Sequence, residues 1–239
     1  AFAKIARPCA FRSHVILLTK NFFTYKIRYS PIIAKRYVRI NAIICQFIRI
    51  VRQKKIQFLR GKGVERVLQN LTVVGAGVMG RGIAYCAAFG GFNVMLHDIS
   101  QDALLSATDY IEKEMIKGVE RGLFRQADME KALNRIRSTA NLREAAANAD
   151  IVIEAVPENM ELKISVFKEL DEICPPHAIL ATNTSTMSPT EIAAQTKRPE
   201  KVIAMHFFIP AHKMKLIELV RGLETSDETV RIAKEVSAR

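Results

Sequence analysis

The chain of 239 residues has no tryptophan, and its first 64 residues contain no aspartate or glutamate. Its four cysteines (Cys9, Cys45, Cys86 and Cys174) form no Cys-x-x-Cys pair, and no histidine joins them at metal-ligand spacing. That spacing argues against a zinc module or a dithiol redox centre, so no metal site is expected. Thiols scattered in this way are expected to stay reduced, as in a reducing compartment. Long apolar runs are also missing from the basic first segment. Its longest stretch without a charge is Ile40 to Ile48, well short of the ~18 residues that a membrane span needs. No membrane span is expected.

The chain carries 36 Lys and Arg against 24 Asp and Glu. Fifteen of those basic residues lie in 1–64, and from Glu65 onward 21 basic residues face 24 acidic ones. The basic excess is therefore local. The first segment mixes Ile, Phe, Tyr and Val with Lys and Arg, and it follows neither the helical nor the strand period. We expect residues 1–64 to be a basic N-terminal extension outside the folded domain. Three origins stay open. It is sequence joined upstream of the domain, which a start at Ala rather than Met suits; a targeting segment of the mitochondrial transit type; or a basic arm for anionic surfaces. No nucleic-acid-binding motif accompanies the charge, so no nucleic-acid partner is expected. A cytoplasmic location is expected, or the mitochondrial matrix if the extension is a transit peptide.

Residues 65–239 have a regular pattern. Apolar strand-like runs at 71–74, 92–96, 151–155, 178–182, 202–208 and 216–220 alternate with helix-like stretches at 81–89, 102–121, 128–137, 163–173 and 226–239. Strands that are apolar throughout and alternate with helices imply an α/β domain. The expected form is a Rossmann-type, doubly wound, mostly parallel sheet covered on both faces.

The first of these runs stops at Gly75-Ala76-Gly77-Val78-Met79-Gly80, immediately before a helix. Each glycine has a separate physical task. Gly75 permits the tight turn, Gly77 lets backbone approach a pyrophosphate, and Gly80 lets the helix pack close to the strand. Free N–H groups at the helix start then face the phosphates with a favourable dipole. The second strand ends at Asp98, 18 residues beyond Gly80. A carboxylate there accepts the ribose hydroxyls and repels a 2′-phosphate, which favours NAD over NADP. The fingerprint by itself does not exclude FAD.

Three further segments hold polar residues at or just past strand ends: 154–159 (Glu-Ala-Val-Pro-Glu-Asn), 182–185 (Thr-Asn-Thr-Ser) and 205–210 (Met-His-Phe-Phe-Ile-Pro). In an open parallel sheet that edge is where ligands bind. Singly, each has an ordinary structural explanation: a core histidine, a turn serine, a glutamate on a solvated face.

Together, the segments VVGAGVMGRGIA (73–84), IVIEAVPENMELK (151–163), ATNTST (181–186) and MHFFIPAHKMKLIELV (205–220) resemble the NAD-binding domain of the 3-hydroxyacyl-CoA dehydrogenase family. The resemblance runs from about Leu71 to the last residue. It implies an NAD-dependent oxidoreductase that interconverts a (3S)-3-hydroxyacyl-CoA and its 3-oxoacyl-CoA, in fatty-acid β-oxidation or short-chain acyl-CoA metabolism. By the same resemblance His206 is the catalytic base, Glu218 its carboxylate partner, and Ser185 the hydroxyl on the reacting oxygen. Glu158 and Lys163 line the nicotinamide side of the cofactor, and Arg121 falls near a lysine that contacts the CoA phosphates. His14, His97, His177 and His212 have no motif around them and are read as structural.

Two departures from the family pattern stand out. The family usually has Asn after the Phe-Phe pair, where this chain has Ile209. The family's second, all-helical domain, which completes the acyl pocket and forms a homodimer contact, is expected to be missing from a chain ending at Arg239. The alternative reading is therefore a truncated, non-catalytic NAD-binding module. Two others are a different hydroxy-acid dehydrogenase on the same kind of fold and a basic arm at 1–64 as the working part.

Overall fold

The structure, a computed structural model, describes residues 16–19 and 68–239. The expected boundary at residues 64 and 65, and most of the basic extension, lie outside the described residues. Within that extension one strand is described, β1 (Ile16–Thr19).

The domain is built on an eight-stranded sheet. After β1 the strands are β2 (Asn70–Val74), β3 (Asn93–His97), β4 (Ile136–Thr139), β5 (Ile151–Glu154), β6 (Ile179–Thr182), β7 (Val202–Phe207) and β8 (Leu216–Arg221). The helices are α1 (Val78–Phe89), α2 (Gln101–Glu120), α3 (Gln126–Leu133), α4 (Leu142–Ala146), α5 (Met160–Ile173), α6 (Pro189–Ala193) and α7 (Asp227–Ala238). The spatial order is β1-β8-β7-β6-β5-β2-β3-β4. From β4 to β7 every pairing is parallel; β8 runs antiparallel to β7, and β1 antiparallel to β8. The chain winds outward from β2 through β3 to β4, then returns to start β5 on the other flank of β2. That reversal opens a crevice past the carboxyl ends of β2 and β5, where doubly wound sheets bind ligands.

The strands are apolar at successive positions because both faces are covered. Alternate side chains point to opposite faces, and the two cores divide accordingly. Leu71, Val73, Ile151, Ile153, Ile203 and Met205 pack with Ile83 of α1, Leu104, Ile111 and Met115 of α2, and Val230 and Ala233 of α7. Val74, Val152, Leu180 and Val202 pack with Phe167 and Leu170 of α5 and Ile192 of α6.

Helix starts follow side-chain capping. Ser100, Asn141, Asn159, Ser188 and Ser226 each accept the backbone N–H three residues on, satisfying one of the orphan donors of a helix start. Helices α1 and α3 are exceptions, with Gly77 and Arg125 as N-caps and no side-chain cap at either.

The sequence pattern over 128–137 reads as one helix, and the structure corrects this. Helix α3 stops at Leu133, and Ile136–Thr139 becomes the edge strand β4, in parallel register with Val94–His97. The Val94 N–H donates to the Arg135 carbonyl, so closing the open edge of β3 outweighs the local helical pattern. The short helices α4 and α6 carry too few residues for periodicity to reveal them.

Candidate active site

The glycine turn comes first. Gly75 has φ +102°, a left-handed value that favours glycine, and a Cβ there would sit 2.6 Å from the Ala155 carbonyl oxygen. At Gly80 a Cβ would lie 1.7 Å from the Gly75 oxygen, so the helix closes on the turn only without a side chain. Gly80→Ala is therefore expected to destabilise the domain by about 1–3 kcal/mol or more through backbone displacement and to abolish dinucleotide binding. Urea unfolding and NADH fluorescence check this. An unchanged midpoint with retained binding contradicts the packing argument.

Gly77 differs from both, since a Cβ there meets no atom within 4 Å. Its hydrogen therefore faces open space over an uncapped helix start. A phosphate group fits a place where the backbone is bare, the first N–H groups are unclaimed by a capping side chain, and the helix dipole is positive. Asp98 closes the turn from the side: Oδ2 accepts the Ala76 N–H at 2.8 Å and Oδ1 the Ser100 N–H at 2.9 Å. Each carboxylate oxygen keeps further acceptor capacity, so the ribose role expected of Asp98 fits its placement. The residues present thus fit a dinucleotide.

The second half of the site forms where β5, β6 and β7 end. A cleft of about 460 Å³ is lined by Met79 of the turn together with Ala155, Glu158, Ser185, His206 and Ile209, among others. The antiparallel register of β7 and β8 sets His206 opposite Glu218, with His206 Nδ1 3.0 Å from Glu218 Oε2. A carboxylate at Nδ1 holds the proton there and leaves Nε2 as the acceptor. The Phe208 ring lies 4.8 Å from the imidazole centroid. Ser185 is exposed in the loop after β6. Met79 of the glycine turn and the His206–Glu218 pair therefore belong to one crevice.

Beneath the cleft lies a buried polar network. Glu154, at the end of an apolar strand, is fully buried rather than on a solvated face. Its carboxylate accepts from Lys163 Nζ at 2.7 Å, from the Val156 N–H at 2.8 Å and from the Thr182 hydroxyl at 2.7 Å. Lys163 also lies 3.2 Å from Glu158 Oε2 and donates to the Val156 carbonyl at 3.3 Å. The ammonium of Lys163, which lines the floor of the cleft, is thus engaged by the protein itself. Glu158 accepts from the Thr184 hydroxyl and at 3.3 Å from the Ser185 N–H. Burial pushes the Glu158 carboxyl up, but the hydrogen bonds from Thr184 and Lys163 outweigh it and hold the group below its usual range. It stays ionised and fixes the loop that bears Ser185.

Two residues that sequence reasoning missed act here. Glu154 is one. The other is Asn183, whose Oδ1 accepts the Phe207 N–H at 2.9 Å, tying the end of β6 to the residue after His206. The signal for Glu154 was its position at the end of a strand with no other polar residue. Arg121 is exposed at the end of α2, outside the residues that line the cleft. Ile209 is 67% exposed at the cleft. His177 lies at the opposite edge, 3.1 Å from Asp150, which also accepts the Gln69 and Asn70 N–H groups. Among the described residues no group of three or more His, Cys, Asp or Glu is placed to hold a metal ion, and no helix is long and apolar enough to cross a membrane.

A dinucleotide turn sharing a crevice with a carboxylate-backed imidazole defines a nicotinamide-dependent dehydrogenase domain. Comparison with known proteins narrows the class. Residues 70–239 match the 3-hydroxyacyl-CoA dehydrogenase NAD-binding domain, and the chain belongs to that family. A probable 3-hydroxybutyryl-CoA dehydrogenase of Bacillus subtilis is 47% identical over 162 residues, 68% of this chain and 56% of that protein. The crystal structure of 3-hydroxybutyryl-CoA dehydrogenase from Escherichia coli K12 aligns at 44% identity with a TM-score of 0.70, over 72% of this chain and 36% of that one. That of (S)-3-hydroxybutyryl-CoA dehydrogenase from Ralstonia eutropha aligns at 39% identity and 0.68, over 72% and 60%. The chain therefore spans about half the length of the relatives it matches, and NAD is the cofactor of the domain they share.

Proposed function

We propose that the chain interconverts (3S)-3-hydroxyacyl-CoA and 3-oxoacyl-CoA with NAD. The observation that carries this reading is the His206–Glu218 pair at 3.0 Å in a cleft bordered by the glycine turn. When bound, the nicotinamide supplies the acceptor for the hydride that leaves C3. His206 takes the hydroxyl proton on Nε2, the ring nitrogen that Glu218 leaves free. Glu218 fixes the tautomer and stabilises the imidazolium. The Ser185 hydroxyl orients the reacting oxygen. Val78, Met79 and Gly80 offer N–H groups to the pyrophosphate, and Asp98 accepts from the adenosine ribose. Glu158 and Lys163 act on the nicotinamide side, Lys163 through the carboxylates it holds. Arg121 faces the CoA phosphates, and homodimer formation uses a further helical domain of the kind expected from the family. The compartment is the cytoplasm, or the mitochondrial matrix if residues 1–64 direct import. The metabolic setting is fatty-acid or short-chain acyl-CoA oxidation.

Acetoacetyl-CoA and NADH mixed with the protein test the reading. Loss of nicotinamide absorbance supports it. NADH binding without turnover supports the alternative, a cofactor-binding module. Ile209→Asn returns a hydrogen-bonding amide to the cleft edge. Because Ile209 is 67% exposed, the gain in NAD affinity or turnover is expected to be about threefold to tenfold, the worth of one hydrogen bond. No gain in either would mean the amide has no partner here.

A further inference from the structure

One cation beside the glycine turn has no anion among the described residues. Arg81 follows Gly80 in α1, and its side chain is half-buried. The guanidinium lies over the Tyr110 ring, 3.8 Å from the centroid, and its Nε is buried without a hydrogen-bond partner. Among the described residues it forms no ion pair. The acid on the same face of α2 as Tyr110, Glu114, is already matched by Lys117 at 2.7 Å, His212 at 3.4 Å and Lys213 at 3.8 Å. A guanidinium has five N–H donors and no acceptor. Stacking on an aromatic face steadies the charge but satisfies none of those donors, and a partly buried unpaired charge is costly.

Val78, three residues before Arg81 and on the same helical face, is 57% exposed. The N–H groups of that turn have no capping side chain, and Gly77 leaves free space beside them. A planar fork next to such a turn suits the paired oxygens of a phosphate.

We propose that Arg81 is a phosphate-binding residue, held in place by Tyr110, that takes an oxygen of the diphosphate in a ligand seated at the glycine turn. This rests on the reading of that turn as the dinucleotide site. Two ligands carry the same diphosphate chemistry, the nicotinamide dinucleotide and coenzyme A.

The test uses the full chain and two variants, Arg81→Gln and Arg81→Lys, with affinities for NADH and for coenzyme A measured at several salt concentrations. Arg81→Gln is expected to weaken binding about tenfold to a hundredfold, the worth of a charge-assisted hydrogen bond, with a shallower salt dependence; Arg81→Lys is expected to recover part of the loss. Weakening for NADH alone places the contact on the cofactor, and for coenzyme A alone on the substrate. Unchanged affinity for both in a folded Arg81→Gln overturns the proposal. If that variant does not fold, the wild-type Arg81 Nε–H resonance decides. Its shift on titration with inorganic pyrophosphate supports the contact, and no shift at saturation overturns it. Wild-type protein that binds no NADH would contradict the dinucleotide reading itself, and the coenzyme A and pyrophosphate arms would still decide Arg81.

Discussion

Replacing His206 with Gln is expected to lower turnover of acetoacetyl-CoA by about two to four orders of magnitude, the usual worth of a positioned acid–base group, while NADH affinity stays within about twofold. Glutamine keeps a polar side chain at the cleft but cannot exchange a proton near neutral pH. The imidazole lies 21% exposed near the end of strand β7, with its Nδ1 committed to Glu218, so its removal leaves the glycine turn and Asp98 untouched. Glu218→Gln tests the same pair from the other side: the imidazolium loses its counter-charge and turnover falls, again with little change in NADH binding. If His206→Gln instead lost NADH binding and turnover together, the histidine would be a binding group rather than the proton acceptor.

The second large effect falls on stability. Lys163 and Glu154 have side-chain exposures of 1% and 0%. Lys163→Met keeps most of the aliphatic stem but leaves the Glu154 carboxylate in the core without its cation. Breaking a buried pair from one side typically costs about 3–5 kcal/mol, a large share of the ~5–15 kcal/mol that holds a domain together. The urea midpoint is expected to fall accordingly. Lys163→Met combined with Glu154→Gln is expected to recover much of the loss, because the orphaned charge is gone while Thr182 and Val156 keep a polar partner. The single variant is also expected to weaken NADH binding, since Glu158 loses one of the contacts that hold the Thr184–Thr186 loop. A stability loss below ~1 kcal/mol, with NADH binding alone impaired, would mean that Lys163 touches the cofactor directly.

That distinction shows where sequence reading stopped. The turn was legible because two of its glycines are demanded by a local clash, Gly75 with Ala155 and Gly80 with its own turn, while Gly77 leaves the helix start bare. The strands around it are short apolar runs that only a sheet buried on both faces explains. His206 and Glu218 are different. Their spacing of twelve residues has no meaning on one strand and acquires it only from the β7–β8 register, so resemblance to a family supplied what periodicity could not. Lys163 could be placed near the cofactor in the same way, but its burial depends on Glu154, and burial of a charged pair leaves no local mark in sequence. Asn183 lies in a segment that stands out in the sequence, but its task was hidden for a similar reason, because it is a hydrogen bond to a residue 24 positions away. The ends of α3 and β4 were misread where a helical pattern yielded to the unpaired edge of β3.

Hydride transfer traced with deuterium tests the central claim most directly. Acetoacetyl-CoA reduced with NADH dideuterated at C4 of the nicotinamide is expected to give 3-hydroxybutyryl-CoA carrying one deuterium at C3, with S configuration, in wild-type protein and at most a trace of it in His206→Gln. Product without deuterium at C3, or no product under conditions where both ligands are bound, would contradict the account.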